Sequence, residues 1–290
     1  SIYWQKLKGG NTNKMKKIVS LCIILLTCLV FSSCLSATNT SGVPTRYGVF
    51  IGMEPKDMEK LYTYEEVVID AAYFTKTDIE TLHQNGVTVY SYINLGSIEN
   101  FRDYYDDFVS LTLSDYENWP EERWIDVSNP KWQNFFIHTM AKELVEKGID
   151  GLFIDNVDIY YLYHTEAMYN GIKETLLGLK KTYDNIPIII NGGYEFIETS
   201  LENELDLTTL IDGINQESVF AAIDFENNCL TKNTLEERMQ LLDYFERVHE
   251  KGVAIYIIEY TKSNALIKEL QSYYAKTDYA YYVSSNIELQ

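Results

Sequence analysis

The chain has 290 residues, 46% of them hydrophobic and 23% charged, and carries 43 acidic against 24 basic side chains for a net charge of −19 at pH 7. That much apolar sequence buries a full core and excludes a disordered chain. A field of this sign repels nucleic acid and anionic membrane surfaces, and attracts cationic ligands.

Residues 1–14 precede the first methionine and are set aside. From Met15, "MKKIVSLCIILLTCLVFSSCLS" has two lysines, the apolar run Ile18 to Phe31, and then Ser32, Ser33 and Cys34. This reads as a secretory signal, with an apolar run too short to span a bilayer as a stable helix. Its ending resembles the lipobox of bacterial lipoproteins, which implies that Cys34 is lipidated and becomes the new N-terminus. The alternative is an ordinary signal peptide cut near Ala37. Cys22 and Cys28 leave with the signal, so Cys229 is the one cysteine left for the mature domain and no intrachain disulfide is possible. Lys6, Lys8, Lys14, Lys16 and Lys17 leave too, which leaves 19 basic against 43 acidic residues and a charge near −24. The expected organisation is upstream residues plus signal over 1–33, a small polar tether over 34–45, and one domain over 46–290. The expected location is the bacterial cell envelope, exported and lipid-anchored.

From Tyr47 onward eight runs of strand character recur: 47–52, 66–74, 87–96, 151–158, 186–193, 211–219, 253–260 and 279–285. Helical spacing separates them, at 75–86, 130–148, 160–181, 234–252 and 263–277. The clearest helix starts at Pro130 after a Ser128-Asn129 cap and stops at Gly148. Strand and helix alternating in this way imply a parallel sheet, and eight units in about 240 residues match a single (β/α)8 TIM barrel of the α/β class. A doubly wound open sheet is the rival architecture. No G-x-G-x-x-G or Walker loop follows the first strand to favour it. The 97–129 region is longer than an ordinary connection and leaves its elements open.

The apolar runs end in polar groups: Asp70, Asn94, Asp155, Asn191, Glu217 and Glu259. In a barrel those ends converge on one mouth, where acids distant in sequence face one another. Each singly also fits a helix cap or an ion-pair partner. The chemistry that needs two carboxylates and no cofactor is glycoside hydrolysis, and two neighbouring carboxylates raise each other's pKa so that one stays protonated near neutrality. His83, His138, His164 and His249 lie in or beside helical segments without metal-ligand spacing, so neither a zinc site nor a catalytic triad is expected. "DNVD" (155–158) does not continue as a calcium loop, since its third position is Val157 and its sixth is Tyr160 in place of the required glycine. Tyr160, Tyr161, Tyr163, Tyr194 and Phe220 follow strand ends and suit either sugar faces or loop packing.

Three segments carry a family resemblance: "VYSYINLGSIENFRDY" (89–104), "RWIDVSNPKWQNFF" (123–136) and "KGIDGLFIDNVDIYY" (147–161). Together they resemble glycoside hydrolase family 114, the endo-α-1,4-polygalactosaminidase-type barrels, in their Y-I-x-x-G-x-x-E, W-x-D-V and G-x-D-G-x-F-x-D-x-x-D patterns. The resemblance implies a barrel enzyme acting within α-1,4-linked galactosamine-containing polymers without a cofactor, with Asp155 as nucleophile and Glu217 as acid/base. Glu259 is the rival for the second role. Asp158 and Asn156 would hold Asp155 or meet the substrate, and Asp70, Tyr92, Asn191 and Glu259 would line subsites. A partly deacetylated galactosamine polymer is cationic and suits the acidic field. The rivals are a non-catalytic polysaccharide-binding lipoprotein on the same barrel, or a glycosidase for another sugar.

Overall fold

A computed structural model describes residues 47–117 and 119–290. The signal segment, Cys34 and the proposed tether lie outside the described residues. Eight parallel strands form one sheet: β1 (Tyr47–Phe50), β2 (Glu66–Ile69), β3 (Thr88–Asn94), β4 (Gly151–Asp155), β5 (Ile188–Asn191), β6 (Gly213–Glu217), β7 (Ala254–Tyr260) and β8 (Ala280–Ser284). Each pairs with its sequence neighbour, and β8 lies beside β1, so the sheet curls into a nearly closed (β/α)8 barrel. The eight expected strands all form, in the expected order.

The connections pack helices on the outside of the sheet, and their caps are written in the sequence. Helix α1 (Lys76–Gln84) opens on a reciprocal Thr75–Asp78 capping box. Helix α2 runs through Pro130–Phe135, a π turn at Phe136–Met140 and Ala141–Lys147; Asn129 caps the amide of Lys131, and Gly148 ends it at φ 96°. Helices α3 (Glu166–Thr182) and α4 (Tyr194–Glu202) follow β4 and β5. After β6 comes α5 (Leu235–His249), with a Thr234–Glu237 capping box, and after β7 comes α6 (Asn264–Tyr274). A 3-10 stretch, Pro55–Thr63, takes the place of a helix between β1 and β2.

Strand alternation divides the core in two. Tyr47, Val49, Val68, Tyr90, Tyr92, Phe153, Ile189, Ile258 and Tyr260 fill the barrel interior. The residues between them, such as Val67, Ile69, Val89, Ile93, Leu152, Ile154, Ile190, Ile214 and Ile257, pack outward against the helices. This parity decides which strand-end side chains reach the mouth. Two additions rise above the barrel. The long 97–129 connection folds into an antiparallel sheet of Ser97–Glu99, Thr112–Asp115 and Glu122–Ile125, and β6 is followed by a hairpin of Ala221–Asp224 and Cys229–Lys232.

Candidate active site

A cavity of about 240 Å³ opens at the C-terminal ends of the strands, where barrel enzymes keep their chemistry. Asp155 ends β4 and shares inward parity with Phe153; Glu217 ends β6; Asn191 ends β5 between them. The Nδ2 of Asn191 donates to Asp155 Oδ1 at 2.9 Å and to Glu217 Oε1 at 2.8 Å. One nitrogen thus bridges the two carboxyls, each through one oxygen. The amide is itself oriented, because its Oδ1 accepts from Asn215 Nδ2 at 2.7 Å. That bond turns the Asn191 NH₂ toward the carboxylates.

Burial, with Glu217 and then Glu122 close by, pushes the Asp155 carboxyl up to about 8, against the pull of its bonds from Asn191 and the Asn156 amide. Glu217 Oε2 accepts from the hydroxyl of Tyr260 at 3.1 Å. Burial and Glu217 raise that phenol well above its ordinary range, so it stays a donor. Asn156 and Ser218, the residues directly after the two acids, both hold positive φ, 63° and 62°. Asn156 is fastened in that conformation: its Oδ1 accepts from Tyr116 at 3.0 Å, and its Nδ2 donates to Asn94 Oδ1 and Ser97 Oγ at 3.0 Å each. Gly96 is required beside it, since a Cβ there would stand 1.9 Å from the Asn156 carbonyl oxygen.

The remaining expected residues divide. Tyr92, Asn156, Asp158 and Asn191 line the cavity with the two acids. Asp158 is also a brace, because its Oδ1 accepts from the Gly193 amide at 2.9 Å and so ties the β4 loop to the turn after β5. Asp70 is set apart from this cavity. Its carboxylate caps Ala72 and pairs with Arg102 at 2.8 Å in a neighbouring recess, while Arg102 also meets Glu99.

Glu259 does not reach the mouth, and its expected place as a subsite residue is corrected. It has the outward parity of Ile255 and Ile257, is fully buried, and accepts from the Phe220 and Ala221 amides and the Tyr274 hydroxyl. It anchors the loop after β6, and burial pushes its pKa up to about 7. The stretch 101–108 contributes Phe108 to a buried contact with Trp132 and leaves Phe101 exposed.

Several lining residues carry no strand-end signal. Tyr116, Trp119 and Glu122 come from the inserted sheet and its turn. Ile223 and Phe225 come from the hairpin, and Ile51, Ile287 and Leu289 complete an apolar wall opposite the acids. Tyr260 was findable by counting alternate residues along β7 from the buried Ile258. Among the described residues, no group of three His, Cys, Asp or Glu is placed to hold a metal, and no helix is long and apolar enough to cross a membrane.

Comparison with known proteins agrees with this fold. The sequence model of glycoside-hydrolase family GH114 matches residues 37–287. The glycoside hydrolase domain of PelA from Pseudomonas aeruginosa superposes with a TM-score of 0.73 at 19% identity, covering 85% of this chain and 97% of that one. Aspergillus fumigatus Ega3, solved in complex with galactosamine, gives 0.64 at 18%, covering 89% and 98%. Among curated relatives, an uncharacterized Thermotoga maritima protein is 22% identical over 88% of this chain and 85% of its own length. The uncharacterized protein MJ1477 of Methanocaldococcus jannaschii is also 22% identical, over 70% of this chain, and the match spans 62% of that relative's length.

Proposed function

Because the chain belongs to glycoside-hydrolase family GH114, we propose that it cleaves within α-1,4-linked, galactosamine-containing polysaccharide by a two-carboxylate, retaining mechanism. The observation that carries the reading is the single Asn191 amide shared by Asp155 and Glu217 at the barrel mouth. In the first step Asp155 attacks the anomeric carbon while Glu217 protonates the departing glycosidic oxygen. In the second, Glu217 takes a proton from water, which attacks the same carbon and frees Asp155. Asn191 fixes one oxygen of each acid across the gap between them, and Tyr260 orients Glu217 through its other oxygen.

Burial and the neighbouring Glu217 push the Asp155 carboxyl up to about 8 in the free protein, whereas attack needs it ionised. A cationic amino sugar arriving at the cleft supplies positive charge that favours ionised Asp155. The acidic composition of the chain favours the same substrate class. We further propose that the enzyme is exported and anchored through a lipid on Cys34; Cys34→Ala would then leave the membrane fraction for the soluble one.

The test is incubation with de-N-acetylated α-1,4-galactosaminan beside a panel of other glycans, with new reducing ends counted, products weighed by mass spectrometry and the first-formed anomer read by NMR. Retention of the α-anomer, and loss of cleavage by about a thousandfold or more in Asp155→Asn and Glu217→Gln, are expected. Full activity in Asp155→Asn overturns the site. Polymer binding without cleavage, surviving Glu217→Gln, identifies a binding protein instead.

A further inference from the structure

Glu122 is a third carboxylate of the cleft, and neither step of the chemistry above uses it. It stands on the last strand of the inserted sheet and lines the cavity with Asp155 and Asn156. Its Oε2 accepts from the hydroxyl of Ser97, with the Nδ2 atoms of Asn94 and Asn156 farther off at 3.4 and 3.5 Å. The Ser97 hydroxyl is committed to that direction. Its oxygen already accepts from Asn94 Nδ2 at 2.8 Å and Asn156 Nδ2 at 3.0 Å, so its proton goes outward to Glu122.

All of these donors address Oε2, and none reaches Oε1. The nearby arginines give their charge elsewhere: Arg102 pairs with Asp70 and Glu99, and Arg123 with Asp115. Glu122 is therefore a cavity-lining carboxylate held by one oxygen, with no ion-pair partner among the described residues; Arg102 acts on it only from a distance. Desolvation, with Glu99 adding to it, pushes its pKa up to about 7, so the site bears a cost that a bound cation would relieve.

We infer that Glu122 selects a 2-amino sugar, its Oε1 accepting a charge-assisted hydrogen bond from the ammonium group of a hexosamine seated against Asp155. The amino group of such a sugar sits on the carbon next to the anomeric centre. Asn156 lies against both acids, its backbone N–H donating to Asp155 Oδ1 at 2.9 Å and its side-chain Nδ2 standing 3.5 Å from Glu122 Oε2, so Glu122 lines the same stretch of the cleft beside Asp155 when Asp155 faces the anomeric carbon. An N-acetyl group or a plain hydroxyl brings no positive charge to Oε1, so the contact discriminates as well as binds. The inference rests on the glycosidase reading of the cleft, and its test is separable from that reading.

The purified protein is titrated at pH 7 and low salt with D-galactosamine and with D-galactose, and the ratio of the two affinities is compared in the wild type, Glu122→Gln and Glu122→Asp. Each variant is its own control for general damage, because both sugars probe the same folded molecules. A charge-assisted bond corresponds to a preference for galactosamine of about tenfold or more in the wild type. The ratio should fall to near one in Glu122→Gln and recover in part in Glu122→Asp. A wild type without preference, or a Glu122→Gln protein that keeps it, overturns the inference. Polymer cleavage is scored separately: a protein that cleaves polymer but ignores the amine retains the glycosidase reading and loses this one, and one that prefers the amine but cleaves nothing does the reverse.

Discussion

Asp155→Asn separates the catalytic requirement at the mouth from what it costs the fold. The free Asp carboxyl titrates near 3.9, whereas in the folded protein Asp155 is held up to about 8. Between those values the unfolded chain has released a proton that the native state keeps. Stability contributed by the neutral carboxyl is thus fully present below pH 4 and is lost as pH rises toward 8. At ~1.36 kcal/mol per pH unit the loss at pH 7 reaches on the order of 4 kcal/mol. Water at the open edge of the cleft, and relaxation of Glu217 and Glu122, reduce this to about 2 kcal/mol in practice. Asparagine is neutral at every pH, its oxygen can take the bonds from Asn191 and the Asn156 amide, and its NH₂ group can donate toward Glu217.

The inactive variant should therefore be the more stable one at neutral and alkaline pH, with a Tm about 4–8 °C higher at pH 8 for a domain of this size. The gain should fade toward zero at pH 4. Melting curves of both proteins from pH 4 to 8 measure it. A Tm difference that is independent of pH, or a variant less stable than wild type at pH 8, refutes the argument that Asp155 is a buried, proton-holding acid.

Asn191→Ala removes the donor shared by both carboxylates; kcat should drop about 10- to 100-fold, and the acid limb of the kcat/KM profile should move to higher pH, because the lost bond was lowering the Asp155 pKa. Glu259→Ala strands the Phe220 and Ala221 amides and the Tyr274 hydroxyl inside the protein and should cost about 3 kcal/mol in denaturant titration, whereas Glu259→Gln should cost less. Gly192→Ala places a Cβ 2.3 Å from Asp158 Oδ2 at φ 71°; it should destabilise by about 2 kcal/mol more than Gly86→Ala, whose φ of 79° is equally left-handed but whose Cβ would meet nothing.

Helix caps and strand order were legible because they are local. The Asn129 cap and Pro130 announce the start of their helix, and Gly148 its end, within a few residues of each. Asp155 and Glu217 were legible because strand ends in a barrel share one face. Glu259 misled because it too ends an apolar run. Its orientation depends on register, and the alternation through Ile255 and Ile257 turns it to the helix side. The inserted sheet was beyond reach for another reason. Its strands are short, two of them mostly exposed or half-buried, and they pair antiparallel across 97–125, so no run of alternating burial marks Glu122 or Tyr116 as lining residues.

The cleft concentrates features that a fold selected for stability alone would avoid. Asp155 and Glu122 are raised carboxyls on adjoining walls, and the residue after each proposed catalytic acid is held in the left-handed region, at roughly 1–2 kcal/mol for a residue bearing a Cβ. The strain at Asn156 is offset by three side-chain partners, while the Ser218 hydroxyl is buried without one. A left-handed residue at each of these points ends the strand abruptly, so the acid is the last inward side chain and the chain turns away from the space the substrate needs. The buried Glu259 anchor holds the loop that follows Glu217, and the Asp158 brace fixes the turn beside Asp155. Stabilising interactions are thus displaced one layer behind the acids, which is where a substitution harms folding, while Asp155→Asn should stabilise.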